Sequence, residues 1–268
     1  MSHLLREHAP ITSGAWAVLD EEARSRLVAA LAARRLVDFA GPRGWEHSST
    51  NLGRVEPVAE APCDGVAGLR RRVLPLVEAR AAFTVSRTEL RAADRGAEDV
   101  DLDALDHAAR TMAVAENKAV FHGWAAAGLE GVTEASPHAA IPRGDDVVQY
   151  PSLAARAVEL LLRSGIAGPY GLALGTEDYT AVIETAEHGG YPLFDHLRKI
   201  LGGPIVWSPG VDGGVVLSQR GGDFLFESGQ DLSVGYEDHD ADAVRLYLEE
   251  SFSFRVATPE AAVAIAPG

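Results

Sequence analysis

Apolar and polar residues alternate over the stretch from Val244 to Val256, towards the C-terminal end of the chain. A period of two predicts a β-strand, and this one is long beside the usual strand of about five or six residues. A shorter apolar run over 231–236 precedes it. Together the two runs predict a β-hairpin whose connection is residues 237–242.

The connection of this hairpin is rich in acidic residues, which also fit part of a calcium-binding loop. Three aspartates and a later glutamate fall where such a loop places its carboxylate ligands. They are Asp238, Asp240, Asp242 and Glu249. The position that needs a glycine for its sharp turn holds Ala243 instead, and no helical pattern flanks the loop. The acidic run is therefore interpreted as a solvated connection.

Helical spacing appears twice in the first half of the chain. Apolar residues recur every three or four positions after Thr12 or Ser13, either of which can cap a helix, and predict a first helix over 13–38. A second run opens with aspartates, which favour a helix N-terminus, and continues from Asp103 until Gly128. This second helix is long enough to serve as the spine of a domain.

Glu116 interrupts the apolar stripe of the second helix. A carboxylate held in an apolar wall can act as a catalytic acid. No histidine or second carboxylate stands three residues away to partner it. An ion pair with Lys118, Arg110 or a neighbouring chain is therefore the favoured interpretation.

Residues 48–80 lose the helical spacing and predict two extended arms around a turn at Cys63–Gly65. Pro57, Pro62 and Pro75 disfavour a central position in a sheet. A loop of this length with no core of its own is uncommon in a compact domain. It predicts a segment used for function or for contact with another chain.

Residues 132–221 alternate helical and extended segments between pairs of glycines, which mark tight turns. The pattern predicts a compact α/β unit. Long strands resume after Gly222, so we expect this unit to be inserted into a domain built from both ends of the chain. Its predicted helices span 152–163, 177–187 and 193–201, and its predicted strands span 170–174, 204–209 and 214–220.

The composition indicates a globular protein and limits its partners. Hydrophobic residues make up 47% of the 268 residues, and the net charge of −15 argues against nucleic acid, whose phosphates require basic residues. A single cysteine excludes an intrachain disulfide, and the N-terminus lacks the apolar segment of a signal peptide. We therefore expect a cytoplasmic protein without a membrane span.

No residue pattern indicates catalysis or a resident cofactor. The nine histidines fall in none of the spacings that present metal ligands on one helix face, and no P-loop, nucleophile elbow or CxxC pair occurs. Glu184 and His188 stand four apart at a predicted helix end, where the helix dipole alone can explain the histidine. The glycine-rich run 165–175 precedes a strand, unlike a dinucleotide-binding loop. We expect neither an enzyme nor a metal site.

Several motifs along the whole chain resemble those of the encapsulin shell proteins, also described as linocin-type bacteriocins. They recur in order and at similar separations. They are LREHAPIT at 5–12, RRLVDFAGPRGWE at 34–46, PLVEARAAFTVSRTEL at 75–90, GIAGPY at 165–170, EHGGYPLFDHL at 187–197, RGGDF at 220–224 and GQDLSVGYEDHDADAVRLYLEESFSF at 229–254.

The resemblance implies an α+β fold, the major-capsid fold of tailed bacteriophages. That fold has a peripheral domain, an extended loop and an inserted axial domain, which correspond to the three kinds of segment described above. The implied division is 1–49 for the N-terminal arm and first part of the peripheral domain, 50–81 for the extended loop, 82–131 for the second peripheral part with the spine helix, 132–221 for the axial domain and 222–268 for the third peripheral part.

The resemblance also implies a self-assembling container. Identical subunits, about sixty in the smallest closed shell, form an icosahedral compartment around a cargo enzyme. That cargo is commonly a dye-decolorising peroxidase or a ferritin-like iron-oxidising protein, whose C-terminal targeting peptide binds the inner wall. An apolar groove with charged flanks suits such an extended peptide. The matching residues here are Leu31, Arg34, Arg35, Asp38, Leu232 and Val234.

The resemblance assigns one loop to the five-fold pore of the shell. A ring of His188 side chains there would make the opening sensitive to pH near neutrality. The loop comprises Glu187, His188, Gly189, Gly190 and Tyr191.

Some encapsulins stack a flavin on an aromatic side chain in the stretch that reads Ser86, Arg87 and Thr88 in this chain. No aromatic residue stands at these three positions. We therefore expect no flavin and no other cofactor.

Two alternative functions remain open. A capsid protein of a resident prophage would share the fold, but it is expected to carry a cleaved scaffolding segment, whereas this chain begins directly at the arm. A free-standing bacteriocin or enzyme would need a paired nucleophile, base or metal site, and the sequence offers none.

Overall fold

The helices follow the spacing of the apolar residues, although several of their ends differ from the predicted ones. The computed structural model describes residues 3–186 and 190–267. The helices are α1 (Ser13–Ala30), α2 (Arg87–Asp94), α3 (Asp103–His122), α4 (Val132–Ala135), α5 (Tyr150–Arg163), α6 (Thr176–Glu184) and α7 (Leu193–Leu201). Among these described helices, none combines the length and the hydrophobicity that crossing a bilayer requires.

The prediction that the first helix continues to residue 38 is wrong, because a side chain from another helix binds both sides of its end. Asn117 of α3 donates a hydrogen bond to the carbonyl of Ala30 (2.9 Å) and accepts one from the amide of Ala33 (3.0 Å). The asparagine is fully buried. It satisfies backbone groups that the helix end leaves without partners. The chain then turns through a short 3-10 helix, Ala33–Arg35.

Helix α3 also ends earlier than predicted, at His122 instead of just before Gly128. Gly123 follows with a φ of 85°, a conformation that side chains with a Cβ rarely adopt. Trp124 and Leu129 then form an isolated β-bridge. The chain therefore reverses direction between Gly123 and Leu129 and continues into α4.

The strands form two five-stranded sheets and one two-stranded ribbon within the described ranges. They are β1 (Asp38–Ala40), β2 (Ser49–Pro57), β3 (Leu69–Pro75), β4 (Val77–Ser86), β5 (Ile141–Pro142), β6 (Tyr170–Leu174), β7 (Gly202–Trp207), β8 (Gly214–Ser218), β9 (Phe224–Ser228), β10 (Ser233–His239), β11 (Ala243–Val256) and β12 (Ala262–Ala266). The first sheet has the order β1-β9-β11-β10, with β4 on the other side of β11. The second has the order β5-β12-β8-β6-β7, and the ribbon pairs β2 with β3.

The long alternating strand is confirmed as β11, and it passes through both hydrophobic cores. Its first apolar residues, including Leu246 and Leu248, pack with α1 and α3. Phe252 and Phe254 pack in a second core together with residues of the second sheet. Helix α3 likewise contributes to both cores, with Met112 in the first and Phe121 in the second, so the strand and the helix together fix the position of one core relative to the other.

The acidic connection between β10 and β11 is a hydrogen-bonded turn. Asp240 accepts hydrogen bonds from the amides of Asp242 and Ala243 (2.9 Å each), and these bonds lower the pKa of its carboxyl. Asp238 and Asp240 both form ion pairs with Arg245. No cluster of three metal-ligating side chains occurs anywhere in the described part of the chain.

The last strand differs from the domain division that the resemblance implies. Residues 222–268 were assigned to the peripheral domain as one part. Strand β12 instead pairs with β8 in antiparallel orientation and with β5 in parallel orientation. Its hydrogen bonds therefore belong to the sheet of the axial unit.

The two predicted arms of the extended loop form the ribbon of β2 and β3, one face of which is largely apolar around Arg71. Val55 is paired with Arg71, and Leu69 and Val73 stand two residues on either side of Arg71, so the three apolar side chains point in the same direction. Their exposed fractions are 54%, 64% and 45%. An isolated two-stranded ribbon is marginally stable in water. This face therefore has no cover within the described chain.

Candidate functional site

A groove lies between helix α1 and the edge of strand β10. Helix α1 contributes one wall because Ala23, Leu27 and Leu31 recur at four-residue spacing on one face. Strand β10 and its approach contribute Leu232 and Val234 to the floor. The polar side chains that line the groove are Arg6, Asp20, Arg24, Arg34, Asp231 and Ser233.

Helix α1 also contributes an exposed valine to the groove. Val28 lines the groove and has 67% of its surface exposed, whereas Leu31, one helical turn later, is buried at 9%. Val28 therefore adds one exposed apolar side chain to the wall of a groove whose other apolar residues are mostly buried.

One end of the groove contains a buried ion cluster centred on Arg34. Its guanidinium donates to Glu116 (2.7 Å), Asp231 (2.7 Å) and Glu250 (2.9 Å). Glu116 and Glu250 are 0% and 1% exposed. The predicted partners of Glu116, namely Lys118, Arg110 or a neighbouring chain, are therefore wrong: its partner is Arg34, from a distant segment of the same chain.

The cluster holds more acidic groups than basic ones, which changes their protonation. Burial opposes the charge of Arg34, but the carboxylates of Glu116, Glu250 and Asp231 together outweigh it, and the pKa of the guanidinium is raised. Burial and then the negative charge of Glu116 raise the pKa of Glu250 well above its ordinary value, although Arg34 opposes this. Glu250 consequently holds its proton to higher pH than an exposed glutamate does.

Four of the six residues assigned to a docking region lie together. Leu31, Arg34, Leu232 and Val234 all line the groove. Motif matching missed Leu27 and Val28, although Leu27 shares the helical stripe of Leu31. It also missed the acidic partners of Arg34, because they are distant in sequence.

The other two residues of that set lie elsewhere. Arg35 is exposed and lines a different depression, beside Tyr179 and Trp207. Asp38 begins β1, and its carboxylate accepts a hydrogen bond from the amide of Gly222. The 3-10 turn that follows α1 rotates both side chains away from the groove, which a continuous helix would not do.

Two residues of the predicted pore loop, Gly190 and Tyr191, lie within the described part of the chain. Glu187, His188 and Gly189 lie outside the described residues, and so does the pair of Glu184 with His188. Gly190 has a φ of 79°. Tyr191 is exposed, and the ammonium group of Lys199 lies 4.8 Å from the centre of its ring.

The stretch assigned to flavin stacking in some relatives is the start of helix α2. Ser86 caps this helix by accepting a hydrogen bond from the amide of Thr88 (3.1 Å). The local sequence therefore has a structural role at this position.

Comparison with known proteins identifies the family. A family model described as an encapsulating protein for peroxidase matches residues 1–253. A type 1 encapsulin shell protein of Rhodospirillum rubrum is 48% identical over 268 residues, which cover 98% of this chain and 96% of that protein. The chain belongs to the encapsulin shell proteins. A second such protein, from Rhodococcus erythropolis, is 41% identical and is covered over its whole length by 99% of this chain.

Solved structures with the same fold are capsid and virus-like particle proteins. The chain of a virus-like particle from Pyrococcus furiosus superimposes with a TM-score of 0.59 at 20% identity, covering 91% of this chain and 97% of that one. The capsid protein of an empty GTA particle gives 0.55 at 17% identity, covering 88% and 90%. The predicted α+β capsid fold is thus confirmed. As an encapsulin, the protein is a subunit that assembles in many copies into an icosahedral, capsid-like shell, and its relatives are shell proteins, not enzymes.

We predict that Glu250→Gln raises the stability of the shell relative to the native protein, and that the gain increases with pH. Because the pKa of Glu250 is raised in the folded protein, its favourable contribution is complete below the unfolded pKa of about 4.3 and is lost as pH rises towards the folded pKa. Glutamine cannot ionise, yet it can still accept the hydrogen bond from Arg34. The measurement is the thermal unfolding midpoint of the shells between pH 5 and 8.

The matched control is Glu249→Gln, the neighbouring buried glutamate on the same strand. Glu249 forms ion pairs with Arg80 and His3, and among the described residues no second carboxylate forms an ion pair with either of them. Its replacement removes an ion pair and should lower the midpoint throughout the range. A constant difference between Glu250→Gln and native shells at every pH would contradict the prediction.

Proposed function

We propose that this subunit forms a shell of about sixty copies that encloses a cargo enzyme docked by its C-terminal targeting peptide. The cargo is a dye-decolorising peroxidase or a ferritin-like protein, and the description of the matching family, which names a peroxidase, supports the first. The observation that carries the proposal is the groove between α1 and β10, where Leu31, Leu232 and Val234 converge beside the exposed Val28.

The composition supports a cytoplasmic compartment without nucleic acid. The net charge of −15 opposes the binding of a polyanion. The single cysteine, Cys63, is an exposed free thiol, which suits a reducing environment.

The ribbon of β2 and β3 supports the assembly half of the proposal. Its largely apolar face, which carries Val55, Leu69 and Val73, has no cover among the residues that the structure describes. In a shell, a neighbouring copy is the available partner, since closed symmetric assemblies repeat the same contact at every subunit.

We predict that the double variant Val55→Asp, Leu69→Asp fails to form closed particles. Two carboxylates would have to be buried in each repeated contact, with Arg71 as the single cationic side chain of the ribbon on that face. Native protein should sediment as a particle of about 1.7 MDa, whereas the variant should remain as small species with unchanged helix content. The control variant Val55→Thr, Leu69→Thr places a strand-forming residue at both positions without adding charge. It should still assemble. Closed particles from the aspartate variant would contradict an assembly role for the ribbon, and native particles of another discrete size would contradict the copy number alone.

We predict that Val28→Asp lowers cargo loading at least tenfold without affecting the shell. The side chain is exposed, so folding does not require it, but a carboxylate there adds a charge to the wall of an apolar groove. Val18→Asp is the control, because Val18 is also exposed on α1 but does not line the groove.

The measurement is the ratio of cargo to shell protein in purified particles, with native cargo and with cargo that lacks its C-terminal segment. Removal of that segment should abolish loading into native shells. Undiminished loading of the shortened cargo, or equal loading of the two aspartate variants, would contradict docking in this groove.

We propose that the loop 187–191 lines the five-fold pore and that His188 makes ion entry dependent on pH. An imidazole is neutral at pH 8 and charged at pH 5, so a ring of them repels cations more at the lower pH. We predict that His188→Ala removes this dependence, measured as the rate at which a metal ion quenches an enclosed dye. His107→Ala, an exposed histidine on α3, is the control. Identical pH profiles for native and His188→Ala shells would exclude the role.

A further inference from the structure

The ribbon of β2 and β3 has a second face, and this face is basic. Arg54 is paired directly with Arg72, and Glu56 is paired with Arg70. Because successive residues of a strand point to opposite faces, these four side chains lie on the side away from Arg71. The three arginines among them are exposed, and the Arg70 guanidinium lies 3.4 Å from the Glu56 carboxylate. The basic face therefore carries three guanidinium groups and one carboxylate.

The pairing of Arg54 with Arg72 is unfavourable within the subunit. Like charges directly opposite each other on two strands destabilise the pair. Neither guanidinium forms an ion pair or a hydrogen bond with another residue of 3–186 or 190–267. The whole chain has a net charge of −15, so this concentration of positive charge is a local exception. Positions that break a local rule are expected at functional sites. A carboxylate supplied from outside the subunit would relieve the repulsion.

Exposed carboxylates without cationic partners are concentrated between α2 and α3, in the acidic segment 98–103. Its acidic residues are Glu98, Asp99, Asp101 and Asp103, all of them exposed. Helix α3 begins at Asp103, so the helix dipole stabilises that carboxylate. Asp101 accepts a hydrogen bond from the amide of Asp103 (3.1 Å), and no described cation forms an ion pair with Glu98, Asp99 or Asp101. The segment therefore carries unbalanced negative charge.

The acidic turn between β10 and β11 differs from this segment because its charge is already balanced. Asp238 and Asp240 both form ion pairs with Arg245. Asp240 also accepts two backbone amides of its own turn. Segment 98–103 is therefore the better counterpart for a basic surface.

We propose that the basic face of the ribbon binds the acidic segment 98–103 of a second copy of this chain, with a carboxylate between Arg54 and Arg72. This inference rests on the proposed function, in which the ribbon contacts a neighbouring copy. Guanidinium groups form paired, charge-assisted hydrogen bonds with carboxylates. Opposite charges across an interface also fix its register and disfavour wrong contacts.

The charges also determine the symmetry of this contact. In an isologous contact the same surface of both copies meets, which would bring the arginines of two ribbons together. Opposite charges on two separate surfaces instead require a heterologous contact. Each subunit then gives its ribbon to one neighbour and its segment 98–103 to another, and such contacts close into rings.

Charge reversal on both surfaces tests the contact in the full-length protein. The ribbon variant Arg54→Glu, Arg72→Glu keeps like charges opposite each other, so the balance within the ribbon is unchanged. The segment variant Glu98→Lys, Asp99→Lys, Asp101→Asn keeps the acceptor at Asp101. Each variant should lower the fraction of protein in closed particles roughly tenfold or more in sedimentation velocity. The chain that carries all five substitutions should recover most of the native fraction.

The matched control joins the ribbon variant to Glu130→Lys, Asp145→Lys and Asp146→Asn. These three exposed residues lie outside the segment, and the control chain has the same net charge as the fivefold variant. It should not recover, and equal recovery would overturn the inference, because net charge alone would then explain assembly. A fivefold variant that stays unassembled while native protein forms particles would overturn the inference and leave the shell intact. Native protein that remains as small species would overturn both.

Cross-linking tests the contact itself. Arg72→Lys keeps the positive charge and supplies a primary amine, which a carbodiimide joins to a carboxylate in contact with it. Shells of this variant should yield covalent dimers in which mass spectrometry finds position 72 linked to segment 98–103. Native shells, with a guanidinium at this position, should not yield that link. Links from position 72 to other carboxylates alone, or links within one chain alone, would contradict the proposed contact.

Discussion

The guanidinium of Arg34 is the contact on which the arrangement of the subunit depends. It joins the segment after α1 to Glu116 of α3, to Glu250 of β11 and to Asp231 in the connection before β10. A buried ion pair adds little stability overall, because desolvation opposes it, but loss of Arg34 would leave the buried carboxylates of Glu116 and Glu250 without a counter-charge. Its effect is therefore to fix which segments meet. Because α1 and the approach to β10 are both held here, the width of the groove between them is determined by the interior and not by the surface.

Strand β11 extends this constraint to the whole chain. The strand carries Glu250 between Leu248, which packs in one core, and Phe252, which packs in the other. A shift of the strand by one residue would exchange its two faces and would remove Glu250 from Arg34. The buried carboxylate thus fixes the register of the strand that both cores share. This fixed register matters in a shell protein, because every copy of the subunit has to keep the same shape in the wall.

The sequence predicted the elements whose pattern is local. The period of two in β11 and the spacing of three and four in α1 and α3 are present in consecutive residues, so their existence was clear. The end of α1 was not, because it depends on Asn117, a residue 84 positions away from the amide that it binds. The partner of Glu116 was missed for the same reason. Arg35 and Asp38 were grouped with Leu31 through the resemblance of the helix-end segment to the encapsulins, and the turn that separates them leaves no periodic signal.

The length of the ribbon of β2 and β3 means that a small rotation where it joins the subunit produces a large displacement at its far end. Its nine-residue strand spans about 30 Å at ~3.3 Å per residue, and it joins the body of the subunit near Leu76, whose amide donates to the carbonyl of Ser48 (3.0 Å). A rotation of about ten degrees at that joint displaces the far end by about 5 Å, roughly the spacing of neighbouring strands. If the ribbon contacts a neighbouring copy, as proposed above, such a rotation would change the angle between the two subunits and with it the curvature of the wall.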